Sequence, residues 1–151
     1  MFLKSGWGTV RVINNMDMTP LILVATETTP SVNFDPAANL FSISGESRAE
    51  NVRKVYEPIL NWLDSFYTVC KKSGEGGAQS KGTIIIKIQF EYFNSTSSVF
   101  IMLMFRKWYE ISLQGRPVEV HWYYENIDAD MLLSGQRYSK LVNLPFHFFP
   151  L

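Results

Sequence analysis

Cysteine is almost missing. Cys70 stands alone among 151 residues, so no intramolecular disulfide can form and a reducing compartment is the expected setting. Histidine is nearly as scarce. His121 and His147 each sit in an aromatic strand context, with no second His or Cys at ligand spacing along the chain, so packed or hydrogen-bonded histidines are expected and no metal. Neither sign of charge dominates: 14 Lys and Arg face 14 Asp and Glu, which removes the broad attraction that nucleic acid or an anionic membrane requires. Long apolar runs are lacking as well. The longest is the seven residues from Val99 to Phe105, against about 20 needed to span a bilayer. The opening Met1-Phe2-Leu3-Lys4-Ser5-Gly6-Trp7 has no apolar stretch or cleavage pattern of a secretory signal, so a cytoplasmic location is expected.

What remains is an ordinary globular composition, 46% apolar and 19% charged, in a chain long enough for one domain with a real core. Residues 1–20, with Gly6, Gly8, Asn14, Asn15 and Pro20, read as an extension with one short candidate strand at Thr9 to Ile13. Met16 and Met18 leave room for a later start. Residues 21–151 read as the domain.

Ser31 to Phe34 and Leu40 to Ser44 alternate around Asp35-Pro36-Ala37-Ala38-Asn39, whose turn chemistry predicts a β-hairpin. Ser47 and Glu50 have capping-box spacing. Behind them Val52, Val55, Tyr56, Ile59, Leu60, Leu63, Phe66, Tyr67 and Cys70 keep helical spacing. Lys71 to Gly82 reads as a polar, Gly-rich loop. Thr83 to Phe93 reads as a strand with Ile86, Ile88, Phe90 and Tyr92 on one face. A second helix is expected over Val99 to Gln114, a strand over Val118 to Tyr124, a helix from the cap Asp128 to about Val142, and a last strand over Phe146 to Phe149. The order β-β-α-β-α-β-α-β predicts an α/β single domain. Its expected core is a mixed β-sheet of about five strands flanked by three or more helices.

Signs of catalysis are poor. Gly74-Glu75-Gly76-Gly77-Ala78-Gln79-Ser80-Lys81-Gly82-Thr83 lacks the Gly-Lys-Ser/Thr ending of a phosphate-binding loop and opens a strand rather than a helix. Cys70 has no His near it in sequence and falls on an apolar helical face, as core filler does. Asp128 and Asp130 suit a helix start better than a cation, since no further oxygen ligands cluster there. No nucleophile-elbow pattern occurs. No enzyme and no cofactor is expected.

Asn94-Ser95-Thr96-Ser97-Ser98 is different, with four consecutive hydroxyls between a strand and a helix start. One cap explains one of them. A helix N-terminus also favours an anion, and phosphorylation there adds about −1.5 to −2 charges and three acceptor oxygens. Its attraction to an exposed helix end is worth about 0.3–1 kcal/mol, too little to refold a domain. Like-charge repulsion and desolvation added to that are enough to abolish docking of a partner matched to neutral hydroxyls. Plain capping and a phosphorylation switch both remain open on this pattern. In the helix that follows, Phe100, Leu103, Met104, Trp108 and Ile111 make one apolar face, and Ile101, Met102, Phe105 and Tyr109 extend it. Such a helix is covered by its own domain or by a partner.

Several longer stretches occur in order: Thr28-Thr29-Pro30-Ser31-Val32-Asn33-Phe34-Asp35-Pro36, Ile43-Ser44-Gly45-Glu46-Ser47-Arg48-Ala49-Glu50-Asn51, Tyr56-Glu57-Pro58-Ile59-Leu60-Asn61-Trp62-Leu63, Phe90-Glu91-Tyr92-Phe93-Asn94-Ser95-Thr96-Ser97-Ser98, and Trp122-Tyr123-Tyr124 followed by Asp128-Ala129-Asp130-Met131. Over about Ala25 to Phe149 the chain thereby resembles the SiaC family of regulatory phosphoproteins. The resemblance implies a fold similar to anti-sigma-factor antagonists (STAS-like) and a role without catalysis. It implies phosphorylation by a dedicated Ser/Thr protein kinase and reversal by a PP2C-type phosphatase. It also implies an unphosphorylated form that binds and activates an effector, a diguanylate cyclase, raising cyclic di-GMP. The family's acceptor Thr, in an Asn-Thr-Ser-Ser motif, falls on Ser95, and a one-residue slip puts it on Thr96. Asn94, which shapes the strand-to-helix turn, and Ser97 and Ser98 beside the acceptor are the expected partner-binding or switch-supporting residues. The chain departs from the family in having Ser for that Thr and in lacking Tyr-Pro between Ser47 and Glu50. A constitutive interaction scaffold and an anti-sigma-factor-antagonist type of partner switching are the competing expectations.

Overall fold

Asp35 turns the chain back on itself. Its Oδ1 accepts a hydrogen bond from Ala38 N at 3.3 Å, and Asn39 takes φ 51°, a left-handed conformation that Asn tolerates. Strands β4 (Ser31–Asp35) and β5 (Leu40–Ser47) pair antiparallel across this turn, as expected. The computed structural model describes residues 2–5, 8–11, 18–75 and 82–151. Within them β1 (Phe2–Ser5) and β2 (Gly8–Arg11) form a separate two-stranded antiparallel sheet, and β2 overlaps the expected strand at Thr9 to Ile13.

The main sheet has six strands in chain order: β3 (Leu21–Leu23), β4, β5, β6 (Ile84–Phe93), β7 (Val118–Tyr124) and β8 (Phe146–Pro150). The first three are antiparallel and β5 to β8 are parallel. The parallel steps are crossed by α1 (Val52–Glu75), α2 (Ser95–Ser112) and α3 (Ala129–Leu141). Every crossover moves to the next strand in the same direction. The usual right-handedness of such connections therefore sets all three helices on one face. Burial agrees: Phe41, Ile43, Ile84, Ile86, Ile88, Val118, Val120 and Trp122 are buried at alternating strand positions. Among them Phe41 meets Phe66 of α1 at 5.8 Å and Trp108 of α2 at 5.3 Å, and Trp122 meets Tyr138 of α3 at 5.9 Å. Among the described residues no helix covers the opposite face.

Four local details differ from the sequence expectations. The edge strand β3 adds a sixth strand, too short for its alternation to be read. The Ser47–Glu50 capping box does not form. Ser47 ends β5, and Asn51 Oδ1 instead accepts from Lys54 N at the start of α1. Helix α1 continues to Glu75, into the expected loop, while 76–81 lie outside the described residues. Finally, the pairing of β5 with β6 shifts between Gly45 and Glu46. Gly45 holds φ 101° there, open to Gly without strain. Glu91 is passed over by the register, so Phe93 turns inward onto Trp122 and Tyr138 while Tyr92 is left 49% exposed. That bulge aims the end of β6 and sets where α2 begins.

Candidate functional site

Helix α2 starts at Ser95, four residues before the expected Val99, so the hydroxyl cluster forms its first turn. Asn94 is the N-cap: its Oδ1 accepts from Ser97 N at 2.8 Å. Helical geometry then separates the four hydroxyls. Ser95 and Thr96 are exposed. Ser98 is half-buried, and its hydroxyl donates to Ser95 O at 2.7 Å. Ser97 is fully buried and donates to Ser47 O at 2.8 Å.

Ser97 belongs to a chain of buried hydroxyls. Ser47 Oγ donates to Ser97 Oγ at 2.9 Å, which uses its one proton. Tyr56 OH, 2.8 Å from Ser47 Oγ, is therefore the donor there. Asn94 N also donates to Ser47 O, at 3.1 Å. The ends of β5 and β6 and the beginnings of α1 and α2 are thus tied at one point. Burial pushes the Tyr56 phenol up to about 12, with the Ser47 hydrogen bond opposing, so it remains a neutral donor. Tyr138 of α3 donates to Ser98 O at 2.9 Å. Burial raises its pKa, and Tyr56 adds to the shift.

Beside this turn lies a groove of about 520 Å³ between α2 and α3. Ser95 and Ser98 form its rim, Phe93 and Tyr138 its end, Val99, Met102, Leu103 and Leu141 its apolar walls, and Arg106 and Arg137 its cationic border. Val99 and Leu103 are 60% and 37% exposed. The buried side of α2 is Ile101, Met104, Phe105, Trp108 and Ile111. Leu103 is thus on the outward side, because a start at Ser95 with Ser97 inward fixes the rotation of the helix.

The other candidates are resolved by their surroundings. Cys70 is buried, and burial raises its thiol to about 11, against the ordinary thiol range near 8.5, which suppresses the thiolate. Asp128 caps α3 by accepting from Met131 N at 3.0 Å. The central part of the Gly-rich segment, 76–81, lies outside the described residues. His121 and His147, unrelated in sequence, are direct register partners on β7 and β8. Sequence reasoning missed Tyr56, Tyr138 and Arg137 at the site. They come from α1 and α3, and only the parallel crossovers bring them to the start of α2. Among the described residues no helix is long and apolar enough to cross a membrane.

Comparison with known proteins follows the same outline. Residues 23–151 match the SiaC family regulatory phosphoprotein family. An uncharacterized protein of Pseudomonas aeruginosa (strain UCBPP-PA14) is 22% identical over 129 residues, covering 85% of this chain and 94% of that one. The crystal structure of apo-SiaC from P. aeruginosa superposes with a TM-score of 0.71 at 21% identity, covering 87% of this chain and 98% of that one. Similar, too, is SiaC in the crystal structure of the P. aeruginosa diguanylate cyclase SiaD with its activator SiaC. There the TM-score is 0.70 at 21% identity, over 85% of this chain and 97% of that one. The match to the family runs from the last residue of β3 through β4 to β8 and all three helices, and the chain belongs to the SiaC family of regulatory phosphoproteins.

Proposed function

We propose that this chain is a non-enzymatic binding switch in cyclic di-GMP signalling. Phosphorylation of Ser95, or of Thr96 beside it, decides whether a diguanylate cyclase docks. A Ser/Thr kinase adds the phosphate and a PP2C-type phosphatase removes it. The observation that carries the reading is the division of one hydroxyl cluster. Ser95 and Thr96 are open to a kinase at a capped helix N-terminus, whereas Ser97 is fully buried in a hydrogen-bond chain. The relationship to SiaC, described as the activator of the cyclase SiaD, supports the identity of the effector.

The energetics fit a docking switch better than a refolding switch. A phosphate at the exposed first turn gains about 0.3–1 kcal/mol from the helix dipole. The network beneath it is neutral and fully paired at Ser47, Ser97 and Tyr56, so the domain keeps its shape. At the rim of an apolar groove, however, a partner seated over the site must strip water from about two negative charges. That cost falls on the complex and not on the free protein. Arg106 and Arg137 border the same groove and supply the charge that an acidic partner segment meets when the phosphate is missing.

The test is binding of the effector cyclase by paired variants. Ser95→Ala/Thr96→Ala keeps the affinity of the unmodified chain, and Ser95→Asp/Thr96→Asp weakens it by at least tenfold. Equal binding by the two variants contradicts the switch and identifies a constitutive scaffold with a capped helix.

A further inference from the structure

The uncovered face of the sheet carries the cluster Glu119, His121 and His147. Glu119 and His121 are two residues apart on β7 and so share a face. His147 lies directly opposite His121 on the parallel edge strand β8. Glu119 Oε1 is 3.6 Å from His147 Nε2, and Glu119 Oε2 is 3.9 Å from His121 Nε2. One ligand atom from each residue lies within 4.8 Å of the other two. The imidazole rings are 5.3 Å apart and inclined at 76°. Phe149 holds the His121 ring from the side at 5.0 Å, and Tyr123 stacks on Phe149 at 5.1 Å.

We infer that Glu119, His121 and His147 form a binding site for a divalent transition-metal cation of the Zn2+ class, with the fourth position open to solvent. Zinc binds His nitrogen and carboxylate oxygen at about 2.0–2.2 Å, which puts tetrahedral ligand atoms about 3.3–3.6 Å apart. The closest pair already lies at the edge of that range, and small rotations of the partly exposed Glu119 and His147 side chains close the rest. Two imidazoles and one carboxylate with an open position are a chemically suitable set for Zn2+ and unsuited to Ca2+ or Mg2+, which take oxygen ligands. Simple ion pairing explains the cluster less well. Both histidines aim Nε2 at one carboxylate, and if both were protonated they would repel each other at close range. Lys87 is the cation nearest in register to His121, and its exposure lets solvent screen it.

Isothermal titration of Zn2+ into the tag-free full chain, stripped with chelator, tests the site. The parent chain is expected to bind one Zn2+ per chain in a saturable isotherm. His147→Ala and His147→Gln, on a half-exposed edge-strand position, are expected to lower the affinity at least tenfold while the urea midpoint stays unchanged. Glu119→Gln is expected to weaken binding in the same direction. No saturable binding by the parent chain, or a loss below tenfold in folded His147→Gln, overturns the inference.

Discussion

Ser97 and Ser95 are two residues apart and chemically identical, yet they have opposite surroundings. Ser97 donates inward to Ser47 O and receives the Ser47 hydroxyl, whereas Ser95 faces solvent. Ser47→Ala strips the Tyr56 phenol of its acceptor and Ser97 of its donor, and is expected to cost about 1–3 kcal/mol in urea unfolding. Tyr56→Phe removes only one donor and leaves the Ser47–Ser97 bond intact, so about 0.5–1.5 kcal/mol is expected. If the two variants were equal in stability, the Ser47–Ser97 bond would add nothing measurable to the fold. Gly135 answers to a different constraint. A Cβ there would stand 2.7 Å from the buried Trp122 indole, so α3 can lie on that ring only through Gly. Gly135→Ala is expected to lose about 1–3 kcal/mol through overpacking, read from the same unfolding curve. The sequence singled out the hydroxyl cluster but could not rank its members. Their ranking depends on which strand end lies under the helix.

At the scale of the element, the helices and long strands were legible because their periodicities are strong. Val52 to Cys70 and Ile84 to Phe90 show why: both carry large apolar side chains at a clean spacing. What sequence could not show was phase. The shift at Gly45/Glu46 exchanges Phe93 for Tyr92 on the inner face, and an alternation rule carried through a bulge gives the wrong residue. Ser47 and Glu50 had the spacing of a capping box, but Ser47 is drawn into β5 by its bonds to Ser97 and Tyr56. The tertiary partner wins over the local one. Asn94 is the cap that the fold uses for α2. Asn94→Ala is expected to destabilise by about 0.5–2 kcal/mol, whereas Asn94→Asp retains the acceptor and keeps most of that stability. Chemical unfolding of the two variants side by side distinguishes loss of the cap from loss of packing.

For the whole molecule, the decisive feature is a sheet wound in one direction, which concentrates the helices on one face and the starts of α1 and α2 at one end. A sequence-based reading finds the crossovers but not their common face, so the groove between α2 and α3 and the pairing of His121 with His147 were both invisible to it. The fold also predicts a pH response. Unfolded tyrosines ionise near 10, whereas Tyr56 keeps its proton up to about 12 because it is buried. Between those values the unfolded state binds fewer protons, so stability is complete below pH 10 and declines as pH rises through the window. Tyr138, buried and shifted in the same direction, adds to the decline. Urea midpoints measured from pH 9 to 12 are expected to fall, and Tyr56→Phe to flatten the slope.

The central claim is that the exposed first turn of α2 receives the charge that governs docking. Fragment mass spectrometry of the chain after reaction with its cognate kinase and ATP tests this most directly. The account predicts a single phosphate on Ser95 or Thr96, and loss of cyclase binding in the modified fraction alone. Phosphate confined to 71–82, or a modified fraction that still binds the cyclase, would contradict it.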